Sequence, residues 1–592
     1  MRNKKEQIPV QVLYADRNQN RYKNIIWIIF LALLLTGGIF LVIRQSWKGQ
    51  VSVLPVCGLM ACTGILCCVL AEMMREKMRF SVIFTGLPWL LLLIFTGAFR
   101  GGWTGAQAWF NMLISQWNTA NEGGLALFSV QASTHDAFVF TLILVLAVAE
   151  ISWFLAAGRH LLLANIFCIL WVILQLLCGV LNPAACGFLF AALCGMCMSD
   201  DEMIFTRNRA GWTVGVLIVF CIFGRVVSEE EILAVSQFRE SVQEEIHKIR
   251  YGEDTLPEGN LYQASELKAD AKEMLSLKTE QQKTLYLRGF VGSVYEAGVW
   301  EEPADAVYGG KNAGILKWLE KNSFDPLCQI SAYYAHSDEE KNPDKNEIQI
   351  RVTGASRYYV YTPATVEDIK KGKLTEDKDI RFCNKGFLAA RNYTIEETSG
   401  TRPAELMVTD LWVSTPESAE QKQYSETESV YRAFVYDTYR DVDPETRDLL
   451  QQMFWDDYES DSDGIYSSIC RIRDVLKENV EYTENIEEVP DGEDPVRYFL
   501  TGSQRGNAML YASAAVDALR VHGIPARYVE GYYISESDLK NSQSEEIILT
   551  GENTHAWAEA YFDGIGWFPL DVTPGYYYDA VTLQKMVSTP DV

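Results

Sequence analysis

Seven long apolar runs crowd into the first 227 residues, at 25–43, 51–73, 80–99, 137–157, 161–181, 184–199 and 211–227. A helix needs about 20 apolar residues to cross bilayer hydrocarbon, so these runs confine the first part of the chain to membrane helices. The sixth run is the shortest. The first is too long, and lacks a small-residue cleavage site behind it, to be a removable signal peptide. Residues 1–227 therefore read as an all-α polytopic membrane domain with about seven transmembrane helices in the lipid bilayer.

Orientation follows from the basic residues of the short loops. Arg2, Lys4, Lys5, Arg17, Arg21 and Lys23 mark the N-terminal tail as cytoplasmic, whereas the long 100–136 loop carries only Arg100. Alternation then puts Arg75, Lys77 and Arg79, Arg159, and Arg207 with Arg209 inside, and the seventh crossing delivers residue 228 to the outside. Six or eight crossings would break that agreement. The expected location is a multi-pass cell-membrane protein with residues 228–592 extracytoplasmic. Glu150, well inside a run, reads as a carboxyl satisfied by a neighbouring helix rather than as a transport site.

Charge separates the two parts again. Residues 1–227 hold 16 Lys/Arg against 10 Asp/Glu, and the remainder holds 36 against 68. An outer part this acidic repels phosphate, so nucleic acid is excluded as a partner. Ten of the thirteen cysteines sit in the apolar part, where a thiol behaves as a small hydrophobe. Cys328, Cys383 and Cys470 lack the spacing of a disulfide framework or a metal site, and no cofactor or structural metal is expected.

Beyond residue 227, Ser228 and Glu229–Glu231 start a helix that Val235, Phe238, Val242, Ile246 and Ile249 continue, predicting a helical stalk over 228–284 or, equally, a helix packed back on the outer domain. Residues 285–455 read as a β-rich extracytoplasmic domain plus linker: the β pattern runs from about 285 to 415, with Ile348, Ile350 and Val352 alternating, and 415–463 is polar and helix-prone. The last domain is 456–592. It begins with a helix carrying Ile465, Ile469, Ile472, Leu476 and Val480 on one side. Gly506 precedes a small-residue helix in which Ala508, Tyr511, Ala512, Ala515 and Leu519 share a face, and Gly523-Ile524-Pro525 stops it. Residues 526–532 form a strand and 535–553 a polar loop. Residues 554–562 alternate His555, Trp557, Glu559 and Tyr561 against Ala556, Ala558, Ala560 and Phe562, and the turn at 563–566 sends Trp567–Asp571 back as the partner strand. In one register parity, His555 and Asp571 share a face with Cβ atoms about 5 to 8 Å apart. In the other they are separated.

The run GNAMLYASAAVDALRVHGIPARYVEGY followed by HAWAEAYFDGIGWFPLDVTP resembles the transglutaminase-like core, papain-like in fold, of membrane-bound bacterial proteins with several N-terminal spans and an external catalytic domain. LYLRGFVGSVYEAGVW resembles a second recurring piece of those proteins. The resemblance implies an α+β extracytoplasmic region ending in that core. It also implies a chemistry in which a cysteine at the start of the buried helix attacks an amide carbonyl, helped by a histidine that an acid orients. It assigns the base to His555, its partner to Asp571 and the nucleophile position to Ala508, whose methyl group cannot attack a carbonyl. Asn507 and Trp557 are the candidate ligand contacts, and Arg527 is a candidate buried ion-pair partner. Ser503, Ser513 and Cys470 are the other nucleophiles to weigh. Members often continue into another span, so the end at Val592 marks either a truncation or a variant. Three functions follow as expectations. The first is a non-catalytic cell-surface domain binding a peptide, peptidoglycan or a protein in the former active-site cleft. The second is an acyltransferase or amidase with a different nucleophile, and the third is a structural or docking membrane component.

Overall fold

The computed structural model describes residues 10–47, 53–73, 98–121, 125–130, 132–158, 160–198, 206–226, 233–267, 271–280, 284–336, 345–370, 375–384, 386, 389–398, 411–456, 465–541 and 546–576. The chain divides into two units, Met1–His247 and Lys248–Val592.

The first unit is helical: Val10–Ser46, Val53–Met73, Ala98–Ala120, Thr134–Gly158, Leu161–Leu177, Pro183–Cys197 and Arg207–Val226. Among the described residues, two helices are long and apolar enough to cross a membrane, Asn24–Ser46 with mean hydropathy 2.8 and Thr134–Gly158 with 2.4. The expected seven crossings are thus met by two helices of sufficient length. The run at 80–99 lies almost wholly outside the described residues. The runs at 161–181 and 184–199 form shorter helices because the chain turns between them. Gly179 takes a left-handed φ of +66°, and Asn182 caps the next helix by accepting from the Ala185 amide, with Pro183 in its first turn.

The 100–136 stretch, read as a loop, holds the helix Ala98–Ala120. Its small residues permit close packing on Thr134–Gly158: a Cβ on Gly105 would lie 2.2 Å from the Asp136 carbonyl oxygen and 2.6 Å from Phe140 Cβ. Such a helix is too rich in Gly, Gln and Asn to register as an apolar run. Glu150 lines a cavity of about 20 Å³ with Thr36, Thr63 and Trp153, so polar groups from other helices neighbour it.

The second unit corrects the expected stalk. The helix Leu233–Tyr251, most of which falls in the first unit, ends at Gly252 (φ +94°), and in the second unit Glu273–Thr279 is a strand, with Met274, Leu275 and Leu277 buried. Two antiparallel sheets follow. The five-stranded sheet runs Ile547–Thr550, Glu273–Thr279, Lys345–Val352, Asn392–Thr398, Val366–Lys370. The four-stranded sheet runs Gly566–Leu570, Thr554–Phe562, Ala526–Ile534, Leu285–Gly292. Residues 285–455 and 456–592, read as successive domains, therefore trade strands. Leu285–Gly292 edges the sheet of the last stretch, and Ile547–Thr550, from the supposed polar loop, edges the other.

The polar linker is also a packed element. Helix Ala419–Thr438 starts with a capping box between Ser418 and Gln421 and buries Tyr424, Tyr431, Phe434 and Val435. Tyrosine rings fill a core provided each hydroxyl finds a partner, and here they do. Tyr424 Oη donates to the Gly564 carbonyl at 2.8 Å, and Trp567 Nε1 donates to Tyr431 Oη at 3.0 Å. A composition dominated by Glu, Gln and Ser hides that stripe. The small-residue helix, Ala508–Val521, is buried along almost its whole length and lies against the strands Ala526–Ile534 and Thr554–Phe562.

Candidate functional site: a sealed His–Asp pair

Hairpin register decides whether the imidazole meets the carboxylate. Thr554–Phe562 and Gly566–Leu570 pair Ala558 with Leu570 and Tyr561 with Trp567. One step beyond the last pair, Asp571 comes level with Trp557 and diagonal to His555, the parity that brings them together. His555 Nε2 and Asp571 Oδ2 are 2.7 Å apart.

Three further elements converge on Asp571. Tyr286, from the strand Leu285–Gly292, donates to Oδ2 at 2.8 Å, and the Thr573 amide donates to Oδ1 at 2.9 Å. Arg473, on the helix Ile465–Asn479, donates to the Asp571 carbonyl from Nε at 3.1 Å and Nη2 at 2.6 Å. A carboxylate only accepts, so the imidazole donates from Nε2; as the neutral tautomer it keeps its lone pair on Nδ1. Nδ1 is buried with no hydrogen-bond partner among the described residues. Carboxylate–imidazole pairs hold a base in this way, one nitrogen anchored and the other presented.

Aromatic rings enclose the imidazole. The Tyr576 ring stacks on it at 4.1 Å and 16°, Tyr533 is tilted at 5.5 Å, and Tyr286 and Trp557 stand at 6.3 Å. His555 is 0%, Trp557 1% and Asp571 2% exposed. The expected open cleft is therefore closed at this point. Trp557 joins Tyr286, Val291, Ile380 and Val529 in a small apolar cluster, and its own Nε1 has no hydrogen-bond partner among the described residues.

Asn507 caps the buried helix. Its Oδ1 accepts from the Met509 amide at 3.2 Å while Nδ2 donates to the Ala264 carbonyl at 2.7 Å. Both ends of the amide are engaged, and Ala508 beside it is fully buried. The other nucleophile candidates are engaged elsewhere or out of bonding reach. Ser513 Oγ donates to the Met509 carbonyl and accepts from Trp300 Nε1, both at 2.8 Å. Ser503 Oγ donates to the Arg505 carbonyl at 3.1 Å. Cys470 is half-buried, one helical turn before Arg473. With Nε2 on Asp571 and Nδ1 unbonded, none of these atoms hydrogen-bonds the imidazole.

Farther along the same strand face, Glu559 sits between two buried arginines. Oε1 meets Arg288 Nε at 3.0 Å and Nη2 at 2.9 Å, and Oε2 meets Arg527 Nε at 2.9 Å and Nη2 at 2.8 Å. Burial alone would push this carboxyl up, but the two guanidiniums overcome that and hold it below its ordinary value. The Arg527 guanidinium also lies 4.3 Å above the Trp567 ring. This is the buried ion pair the sequence led us to look for, with a second arginine it did not.

Sequence reasoning missed Tyr286, Arg473 and Tyr576. Tyr286 lies in LYLRGFVGSVYEAGVW, a segment already singled out, so it was within reach. Arg473 left a local signal too, a cation beside Ile469, Ile472 and Leu476. Tyr576 left none, since TPGYYYD reads only as a turn followed by tyrosines.

Residues 454–572 match the family model of the transglutaminase-like superfamily, so the chain contains a transglutaminase-like domain. Over 119 residues it is 34% identical to the uncharacterized protein YebA of Bacillus subtilis (strain 168), a stretch that is 20% of this chain and 16% of that protein. The chain thus matches about a sixth of that relative's length. Among solved structures it is similar to the periplasmic domain of TgpA from Pseudomonas aeruginosa, with 16% identity, a TM-score of 0.35, and coverage of 53% of this chain and 91% of that one. The same domain bound to ethylmercury has a TM-score of 0.34, 16% identity, and coverage of 52% and 92%.

Proposed function

We propose that the transglutaminase-like domain is a non-catalytic binding module, tethered to a cell membrane by its apolar helices and facing away from the cytoplasm. In this reading it holds a peptide, a peptidoglycan stem peptide or a protein segment at the His555 site. One observation carries the reading. The imidazole is oriented by Asp571 as a base would be, yet among the described residues its Nδ1 has no thiol or hydroxyl to deprotonate, and the position that the resemblance gives to a nucleophile is Ala508. A buried nitrogen without a partner costs about 1–3 kcal/mol. A ligand N–H or O–H that reached Nδ1 would recover that, favouring binding without providing a route to bond cleavage.

The test uses the full chain in lipid nanodiscs. Calorimetric titration with muropeptides and with short peptides is expected to show binding that His555→Ala and Trp557→Ala abolish, with neither peptide hydrolysis nor amine incorporation in the same samples. Turnover abolished by His555→Ala would overturn the proposal in favour of an acyltransferase or amidase using another nucleophile. Ala508→Cys sharpens the geometry, because a thiol beside the imidazole has a lowered pKa and alkylates faster. Its alkylation should be about tenfold faster with His555 present than in the Ala508→Cys/His555→Ala double variant, a factor typical of thiolate activation. Equal rates would mean that the imidazole does not face residue 508.

A further inference from the structure

We infer that the turn Val572–Tyr576 is a strap that closes the His555 site, with the Tyr576 ring occupying the position over the imidazole that a planar group of an incoming ligand takes. The inference deepens the proposed function by naming what regulates access to that site, and it stands on contacts of its own. Tyr576 lies flat on the imidazole, ring centroids 4.1 Å apart and planes within 16°. A separation that short leaves no room for a second ring or amide plane, so ligand and Tyr576 exclude one another.

The strap is latched at both ends of its turn. The Tyr576 amide donates to the Thr573 carbonyl at 3.1 Å, and the Thr573 amide is held by Asp571 Oδ1. The Tyr286 hydroxyl shares its proton between Asp571 Oδ2 at 2.8 Å and the Tyr576 carbonyl at 3.2 Å. Tyr533 stands beside the stack and meets the Tyr576 ring edge-on at 4.8 Å. Tyr286 therefore ties the lid to the acid that orients the base, so lifting the strap breaks its bond to the Tyr576 carbonyl and leaves its proton wholly to Asp571. What replaces Tyr576 must offer a flat face, an aromatic side chain or a planar amide, and a donor toward Nδ1.

Diethyl pyrocarbonate modification of the full chain in nanodiscs, read peptide by peptide, measures access to each imidazole. His522, stacked on Trp455 at 4.1 Å and 15°, is the internal reference in the same unit. Tyr576→Ala is expected to speed modification of His555 by about tenfold or more, with His522 unchanged, while Tyr576→Phe keeps the stack and the slow rate. A His555 rate within about twofold of the parent in Tyr576→Ala overturns the strap, since local opening then never limited access. If both histidines speed up, the fold has loosened and Tyr286→Phe decides. A rise of about threefold at His555 alone supports the latch, and no change refutes it. Faster modification with no ligand bound by Tyr576→Ala would leave the strap standing and remove the binding function instead.

Discussion

His555 and Glu559 stand on the same face of one strand, one helical-turn's worth of residues apart, and the protein treats them oppositely. Both oxygens of Glu559 are taken by guanidiniums, on two sides, and the carboxylate has little capacity left. His555 has one nitrogen anchored to Asp571 and the other buried with no hydrogen-bond partner among the described residues. A buried ion cluster in which the charges face their opposites specifies structure, whereas a buried group left half-satisfied retains free energy that a ligand can release. A third buried acid, Asp517 on the central helix, extends the contrast: neither of its oxygens has a hydrogen-bond partner among the described residues, and burial pushes its carboxyl up to about 7 against the weaker pull of Arg520.

The contrast can be broken first at Glu559. Removing its carboxylate strands two buried arginines, so Glu559→Ala should cost about 3–5 kcal/mol in denaturant unfolding of the outer unit. A loss below about 1 kcal/mol would show that the arginines find other partners.

Asp517 comes next, with the sign set by its raised pKa. A folded state that holds the proton up to about pH 7, against 3.8 for the ordinary carboxyl, has its full stability contribution below about pH 4 and loses it as pH rises through 7. Asp517→Asn removes that dependence. At pH 8 the variant should be roughly 4 kcal/mol more stable than the parent, and at pH 4 nearly equal to it, as read from paired melts. Identical pH profiles for the two chains would show that Asp517 is paired.

His555→Ala should cost far less than Glu559→Ala. The lost bond to a carboxylate is partly offset by relief of the unbonded Nδ1, leaving about 1.5 kcal/mol or less. A loss as large as that of Glu559→Ala would make His555 a structural residue. Tyr286→Phe should be smallest, about 1 kcal/mol, because Asp571 keeps the His555 and Thr573 donors.

Much of this arrangement was legible in the residues themselves. The period-two alternation of 554–562 put His555, Trp557, Glu559 and Tyr561 on one face, and the short turn at 563–566 left only the register parity open. The small residues of 508–519 announced a helix that could be packed against on all sides. Local periodicity carries such information because neighbours in sequence are neighbours in space.

What tertiary structure alone decided lies at long range. Tyr286 and Asp571 are separated by 285 positions and meet at one hydrogen bond, and the two sheets trade edge strands across a similar span. Nothing in one sequence encodes such a meeting, because each partner satisfies its own strand pattern equally well wherever it docks. The sealing of the site belongs to the same class: an imidazole and a carboxylate on one hairpin could be anticipated, but whether a tyrosine lies over them depends on where the chain turns after Asp571. Nor does the hydropathy that marked seven apolar runs settle how many become full-length helices, since caps and turns, not composition, end a helix.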